Sequence, residues 1–331
     1  MSKAVQHPGA PAAAQPGKQP PRILRGLPWL AWRQHRTAFV ACLLLAAAGC
    51  VHMLWQRHVT LSWLDPARTH GPLKLVEASG QAYAESFRNA ATLMSLVPVV
   101  AGVFLGAPLI SGDRERGTVK LVTTQSVTRG RWLAVKLGTA ALIAVACSAA
   151  LSAAFTAWWE PAHDLFEGGV WTSDNVFLNT GPVPVALALL YLAVGVACGL
   201  FVRRTLTAMG ITLGFAFAWD LVVSHYLVRF LATPRVLVNP VEEGQPKLPE
   251  GAVRHDNWTV DAHGGLHGFG TCFNERTPAE CRTNKGIVAE RLEYFGYDQM
   301  PGMQWTYAAL VLAAALALLA LVLWWGRRRA L

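Results

Sequence analysis

The sequence predicts an all-α, polytopic membrane protein with six transmembrane helices and both termini in the cytoplasm. Of its 331 residues, 53% are hydrophobic and only 15% are charged, whereas soluble proteins carry about 25% charged residues. Basic residues outnumber acidic ones, with 29 Lys and Arg against 20 Asp and Glu. An apolar, basic chain is typical of a membrane protein whose basic loops face the cytoplasm. This composition argues against a soluble enzyme, a disordered chain and a disulfide scaffold, for which six cysteines are too few.

Six stretches are long and apolar enough to cross a bilayer, which takes about 20 residues of helix. Asp220, in the fifth stretch, is the one Asp, Glu, Lys or Arg residue in the six stretches. Pro98 and Pro108 should bend or loosen the second stretch, because proline lacks a backbone N–H. The predicted spans are Thr37 to Leu54, Ala91 to Ile110, Leu137 to Trp158, Val183 to Val202, Leu206 to Val228 and Thr306 to Trp325.

The distribution of basic residues predicts the orientation of these spans. With the N-terminus inside, the cytoplasmic segments hold 17 basic and two acidic residues, and the outer segments hold 12 basic and 17 acidic residues. Lys and Arg concentrate in cytoplasmic loops of membrane proteins. The positive charge is therefore a signal of topology, and we expect lipid rather than nucleic acid as a partner.

The remaining chain divides into segments by composition. Residues 1–21 are rich in Ala, Pro, Gln and Gly and predict a disordered cytoplasmic tail. Residues 22–36 mix Trp with Arg and predict an amphipathic helix at the inner membrane surface. Spans one to five occupy 37–228, an extracytoplasmic segment occupies 229–305, and span six at 306–325 is followed by a basic cytoplasmic tail at 326–331.

The extracytoplasmic segment contains two cysteines and a glycine-rich middle. An oxidising outer compartment permits disulfides, so we expect a bridge between Cys272 and Cys281 that closes a small loop. His263 and His267 have the spacing of a helical metal clamp, but Gly264 and Gly265 between them disfavour a helix. We therefore expect solvated loop residues and no metal site.

Sequence motifs for nucleotide binding or hydrolysis are missing. The sequence has no G-x-x-x-x-G-K-[ST] phosphate loop, no H-E-x-x-H and no G-x-S-x-G elbow. We expect neither an enzyme nor a bound cofactor in this chain. Uphill transport would need an ion gradient or a partner as its energy source.

The segment 111–136 is longer and more organised than a simple turn. Gly117 and Thr118 could end one helical element and begin the next, with Thr118 as the N-cap. Its basic residues are compatible with an ordinary cytoplasmic loop. The sharper interpretation is a docking element that receives force from a soluble partner.

Two further features inside the spans have open interpretations. Asp220 is an intramembrane acid, which favours a functional role, although a structural hydrogen bond is equally compatible. Small residues recur four positions apart, a spacing that allows helices to pack closely or subunits to meet. The pairs are Gly102 with Gly106, Gly195 with Gly199, and Gly210 with Gly214.

At the segment 111–136 the sequence resembles the ABC-2 type permeases, the membrane subunits of bacterial ABC exporters. The matching run is Asp113-Arg114-Glu115-Arg116-Gly117-Thr118, followed by Thr124 to Arg129 and by Lys136. Gln125 and Ser126 replace the proline-containing run that is familiar in that family. Trp32 to Arg36 is similar to the start of span one in actinobacterial members.

The resemblance implies a type V-like exporter fold in the bacterial cytoplasmic membrane. It also implies a dimer of permease chains, identical or different, with two ATPase subunits beneath that bind ATP and Mg. The residues implied to couple to the ATPase are Asp113, Arg114, Glu115, Arg116, Gly117, Thr118, Arg129, Trp32, Arg33 and Arg36. Asp220, Gly210, Gly214, Gly102 and Gly106 remain candidates for the substrate pathway or for helix packing.

Two alternative functions stay open at this point. The first is a proton-coupled secondary transporter centred on Asp220. The second is a non-transporting sensor or assembly protein that binds through 229–305. An intramembrane enzyme is disfavoured, because the predicted spans contain no paired acids, Ser/Lys pair or set of metal ligands.

Overall fold

The protein was analysed as a computed structural model. It describes residues 27–70, 73–117, 128–163, 170–202, 204–226, 231–273 and 275–328. The predicted tail at 1–21, the N-cap Thr118 and the final residues 329–331 lie outside these ranges.

Within the described ranges, six helical segments are long and apolar enough to cross a membrane. Span two consists of two α-helices joined by a π-helical turn, Ala101–Gly106, between the two prolines. We name the spans by their helices. Span one is Leu27–His70, span two is Leu73–Val100 with Ala101–Gly106 and Ala107–Glu115, span three is Arg129–Trp159, span four is Val183–Phe201, span five is Thr205–Tyr226 and span six is Met300–Arg328. The chain is a multi-pass membrane protein.

Residues 22–26 of the predicted interfacial helix lie outside the described ranges, and the described part, 27–36, is not a separate element. A single helix begins at Leu27 and runs through the boundary at residue 36 into span one. Pro28 is tolerated in the first turn, where its missing N–H has no helical partner. Leu30 to Leu54 contains no proline and one glycine, Gly49, so no helix breaker stands at the predicted boundary.

Span four lies at the centre of the bundle. Most of its residues are buried, and spans two, three, five and six pack around it. A helix that is apolar on all sides fits this central position. Spans one and five expose more apolar surface, including Leu44, Leu45 and Phe217.

The prediction of an all-α protein is wrong for the segment 229–305. The described part of it forms a four-stranded antiparallel sheet with the order β1-β4-β2-β3. The strands are β1 Arg235–Pro240, β2 Val253–Asp261, β3 Leu266–Gly268 and β4 Ile287–Phe295. In β4 buried residues recur at alternate positions from Glu290 to Tyr294, which is the period of a strand packed on one face.

The glycine-rich middle of this segment makes a hairpin rather than an irregular loop. Gly264 has a φ of +83° at the turn between β2 and β3, a conformation that favours glycine. The Asp261 carboxylate accepts hydrogen bonds from the N–H of Gly265 and of His263, both at 2.8 Å. A disulfide joins Cys272 to Cys281, which lies in a short helix, Pro278–Asn284.

Candidate functional site

The end of span two connects to three other spans through consecutive side chains. Asp113 pairs with Lys136 of span three, Arg114 with the carbonyl of Leu200 in span four, and Glu115 with Thr205 of span five. We call this set the span-two joint; it comprises Asp113, Arg114, Glu115, Lys136, Leu200 and Thr205. By the sequence prediction it lies at the cytoplasmic end of the bundle.

The first contact of the joint is a buried ion pair. The side chains of Lys136 and Asp113 are 1% and 9% exposed, so both charges are almost completely removed from solvent. The Lys136 ammonium also donates to the carbonyl of Leu109 at 3.5 Å and lies 4.7 Å from the centre of the Trp132 ring. A buried charge is tolerated when it is paired and hydrogen-bonded, and Lys136 has both kinds of partner.

The other two contacts of the joint provide hydrogen-bond partners for backbone groups at helix ends. The last carbonyls of a helix lack partners within that helix, and the Arg114 guanidinium donates to one of them, Leu200 O near the end of span four. Glu115 accepts from the hydroxyl of Thr205 at 2.6 Å and from its N–H at 3.4 Å. A carboxylate at a helix N-terminus interacts favourably with the helix dipole.

Span one approaches the same site with its first turns. His35 lies close enough to interact electrostatically with Asp113, Lys136 and Arg116. Trp32 is partly buried against the core and packs on Phe39, with ring centroids 5.7 Å apart. Arg33 and Arg36 are exposed, and the Arg33 guanidinium lies 5.1 Å from the Trp29 ring centre.

The predicted coupling residues thus have unequal positions. Asp113 is buried and Arg114 is partly buried, whereas Glu115, Arg116 and Gly117 are exposed. Gly117 has a φ of +69° and ends the helix as predicted. Arg129 begins span three, and Thr118 lies outside the described residues.

The glycines of spans two and four pack backbone against backbone. A Cβ on Gly102 would lie 2.7 Å from the carbonyl oxygen of Tyr191, and one on Gly106 would lie 2.7 Å from that of Leu192. Gly195 and Gly199 face Gly102 and Ala107 in return. The contact includes the π-helical turn, a feature that is often found at functional sites.

The glycines of span five behave differently. Among the described residues, no atom lies within 4 Å of a Cβ placed on Gly210 or Gly214, and both glycines are exposed. Asp220 is also exposed, close to the end of span five that is predicted to be extracytoplasmic.

A buried polar cluster at the opposite end of the bundle was not identified from the sequence. The Asn179 amide donates to Ala91 O at 3.1 Å and to Ser95 Oγ at 3.3 Å, both in span two. The Gln304 amide of span six donates to Thr180 Oγ1 at 2.8 Å, and Ser152 of span three donates to Gly181 O at 3.0 Å. The cluster ties the connection before span four to three spans.

In the sheet, His263 and His267 do not form a metal clamp. The His267 ring nitrogen is 2.9 Å from the Asp261 carboxylate, which also accepts the backbone N–H of His263. The described residues contain no group of three or more His, Cys, Asp or Glu side chains that could hold a metal ion.

Comparison with known families identifies the chain. The profile of the family described as ABC-2 membrane transporter related matches residues 29–229. The chain belongs to this family. The match covers spans one to five and the span-two joint, and it ends before the sheet. The resemblance drawn from the run at Asp113 is thereby confirmed. Searches of the curated proteins and of the solved structures found no match.

Membership of the ABC-2 membrane transporter related family fits the chemistry of the site. A non-catalytic membrane domain is typical of the family. The joint is made of an ion pair and two helix-end contacts, which hold helices together.

Proposed function

We propose that this chain is the permease subunit of an ATP-driven exporter in a bacterial cytoplasmic membrane. It would form the substrate pathway together with a second permease chain. Two separate ATPase subunits would bind ATP and Mg and supply the energy. Family membership over 29–229 supports this proposal.

The span-two joint is the observation that carries the proposal. Three consecutive residues fix the end of span two to spans three, four and five. A displacement at this end therefore moves several spans together instead of bending one. Packed helices switch between discrete arrangements rather than deforming continuously, so the joint suits the transmission of a mechanical step.

The exposed residues of the joint and its neighbours suit the contact with an ATPase. Glu115, Arg116 and Gly117 are accessible from outside the bundle, and the exposed Arg33 and Arg36 lie in the first turns of span one. In this scheme closure of the ATPase pair pushes on these residues. The buried pair of Asp113 and Lys136 then passes the movement to span three.

The test first asks whether an adjacent reading frame encodes a soluble protein with a phosphate-binding loop, and then co-expresses the full chain with that protein. We expect the two to co-purify and the chain to stimulate ATP hydrolysis. The variant Arg116→Glu should lose the stimulation while still inserting in the membrane. Arg88→Glu is a matched control, because Arg88 is an exposed arginine toward the other end of the same span. Normal stimulation by R116E, or no association with the wild-type chain, would contradict the proposal.

The alternative transporter makes an opposite prediction. If Asp220 couples a proton gradient to transport, Asp220→Asn abolishes activity in vesicles that contain no ATPase. In the exporter the same variant retains ATPase stimulation. A sensor that binds through 229–305 predicts no stimulation with any variant.

A further inference from the structure

A cleft of about 550 Å³ lies between spans one, two and three. Its volume is within the range of about 300–1,000 Å³ that small-molecule sites occupy. Ile143, Ala144, Cys147 and Leu151 of span three form its floor, and spans one and two form its walls. Small side chains on the walls, including Ala46, leave the space open.

The long axis of the cleft follows the spans. On span one its lining runs from Cys42 to Gln56, which is about 21 Å at 1.5 Å per helical residue. Half of a bilayer, including its headgroup region, is about 20–22 Å thick. The cleft therefore has the length of a membrane leaflet, and Leu45 and Leu93 at its rim are largely exposed on the outside of the bundle.

The two ends of the cleft differ in polarity. The deep end is apolar, with Val100, Leu105 and Ile143. The end nearer the predicted outer surface carries His52, Gln56, Ser86 and Asn89. In the described part of the chain no side-chain hydrogen bond engages Gln56, Ser86 or Asn89. Polar groups near hydrocarbon favour a partner with which they can hydrogen-bond.

The lining also restricts the charge of an occupant. Among the described lining residues there is no Asp, Glu, Lys or Arg. An ionic headgroup with a net charge would have no counter-charge in the cleft. A neutral or zwitterionic headgroup needs none.

We propose that this cleft binds an amphiphile with a neutral or zwitterionic polar head and one long apolar chain. The head hydrogen-bonds to Gln56 and Asn89, and the chain lies along span three toward Leu105. The molecule enters sideways from the bilayer, between spans one and two. Its source is either a resident lipid or the exported cargo; naming it as cargo rests on the proposed function.

The test uses the full chain in phosphatidylglycerol nanodiscs, whose lipid has a net-charged headgroup, with a photoreactive probe. The probe is lysophosphatidylcholine with a diazirine at the end of its acyl chain, and the labelled residues are mapped by mass spectrometry. We expect labelling at the deep end, near Val100, Leu105 and Ile143. Leu45→Trp, which fills the cleft, should reduce this labelling severalfold.

Leu44→Trp is the matched control for the filled cleft. Leu44 and Leu45 are adjacent and similarly exposed, at 65% and 69%, but Leu45 alone of the two lines the cleft. Leu44→Trp should leave the labelling unchanged. The double variant Gln56→Leu/Asn89→Leu should weaken it, and Thr92→Val, a polar change outside the lining, should not. Equal labelling in L45W and L44W, or labelling spread over all exposed apolar residues, would overturn the proposal.

Two further arms separate the sources of the amphiphile. Competition by unlabelled lysophosphatidylcholine but not by diacyl phosphatidylcholine, with release on addition of the ATPase and ATP, assigns the site to cargo. Competition by both lipids, with no effect of ATP, assigns it to a resident bilayer lipid. The labelling of the cleft is measured without the ATPase. Absence of labelling therefore refutes the binding site, whereas absence of ATPase stimulation refutes the proposed exporter function.

Discussion

The carboxylate of Glu115 accepts hydrogen bonds from both the hydroxyl and the N–H of Thr205, at 2.6 and 3.4 Å. Glu115 is the last helical residue of span two, and Thr205 is the first of span five. One exposed acid thus joins the ends of two spans. Ser111, one turn earlier in span two, adds a 3.2 Å hydrogen bond to the same hydroxyl.

The buried pair of Lys136 and Asp113 should be essential for stability as a pair. Asp113→Asn or Lys136→Met removes one charge of the pair and leaves the other buried without its counter-charge in that pair, and breaking such a pair costs about 3–5 kcal/mol. The double variant Asp113→Leu/Lys136→Met should recover much of this loss. Thermal unfolding of the purified chain in detergent measures all three. Asp298→Asn, which breaks an exposed pair with Arg235, should change little. Additive effects in the double variant would contradict this account.

The close contact of spans two and four predicts opposite effects of the same substitution. Gly106→Ala places a methyl group against the Leu192 carbonyl and should destabilise the chain by about 1–3 kcal/mol, as overpacking does. The methyl group of Gly214→Ala meets no atom of the described residues, so this substitution should be neutral or stabilising by up to about 1 kcal/mol. Thermal unfolding in detergent compares the two. A stable Gly106→Ala variant would show that the spans do not pack as described.

The polar cluster at the other end should stabilise the connection before span four. Asn179→Leu keeps a similar volume but removes three amide hydrogen bonds. Leaving buried carbonyls without donors should cost about 1–3 kcal/mol. Thr92→Val is the control, because the exposed Thr92 hydroxyl bonds within its own helix. Equal melting temperatures for the two variants would argue against the cluster.

Acid should loosen the hairpin between β2 and β3. The hydrogen bonds from His267 and from the N–H of Gly265 and His263 hold the pKa of Asp261 below its ordinary value. The stabilisation is therefore complete above the unfolded pKa of about 3.9 and is lost as pH falls through the lower folded pKa. Hydrogen exchange of the hairpin amides in the full chain measures this. Asp261→Asn should remove the pH dependence, whereas Asp256→Asn should retain it.

The spans were predictable from the sequence, and the joint was not. Each span is a local apolar run, so its position can be read from consecutive residues. The partners in the joint are 23, 86 and 90 positions apart in the chain, and one is a backbone carbonyl that no residue type reveals. The motif identified Asp113, Arg114 and Glu115 as important but not which spans they join.

The sheet was missed for a different reason. β1 and β3 are short and largely exposed, and β2 and β4 carry charged residues on both faces, so the alternation of apolar residues is weak. The glycine-rich stretch, where we expected solvated loop residues, instead contains a hairpin turn, for which Gly264 supplies a positive φ. The pairing of strands that are far apart in the sequence decided the fold of this segment.

Stimulation of ATP hydrolysis by Thr205 variants tests the central claim most directly. The full chain is reconstituted with its ATPase, and Thr205→Ser, which keeps the hydroxyl, is compared with Thr205→Val, which removes it at similar size. If the joint transmits force between spans two and five, T205S stimulates like the wild type. T205V then binds the ATPase normally but loses most of the stimulation. Full stimulation by T205V would contradict the claim that this contact couples the spans.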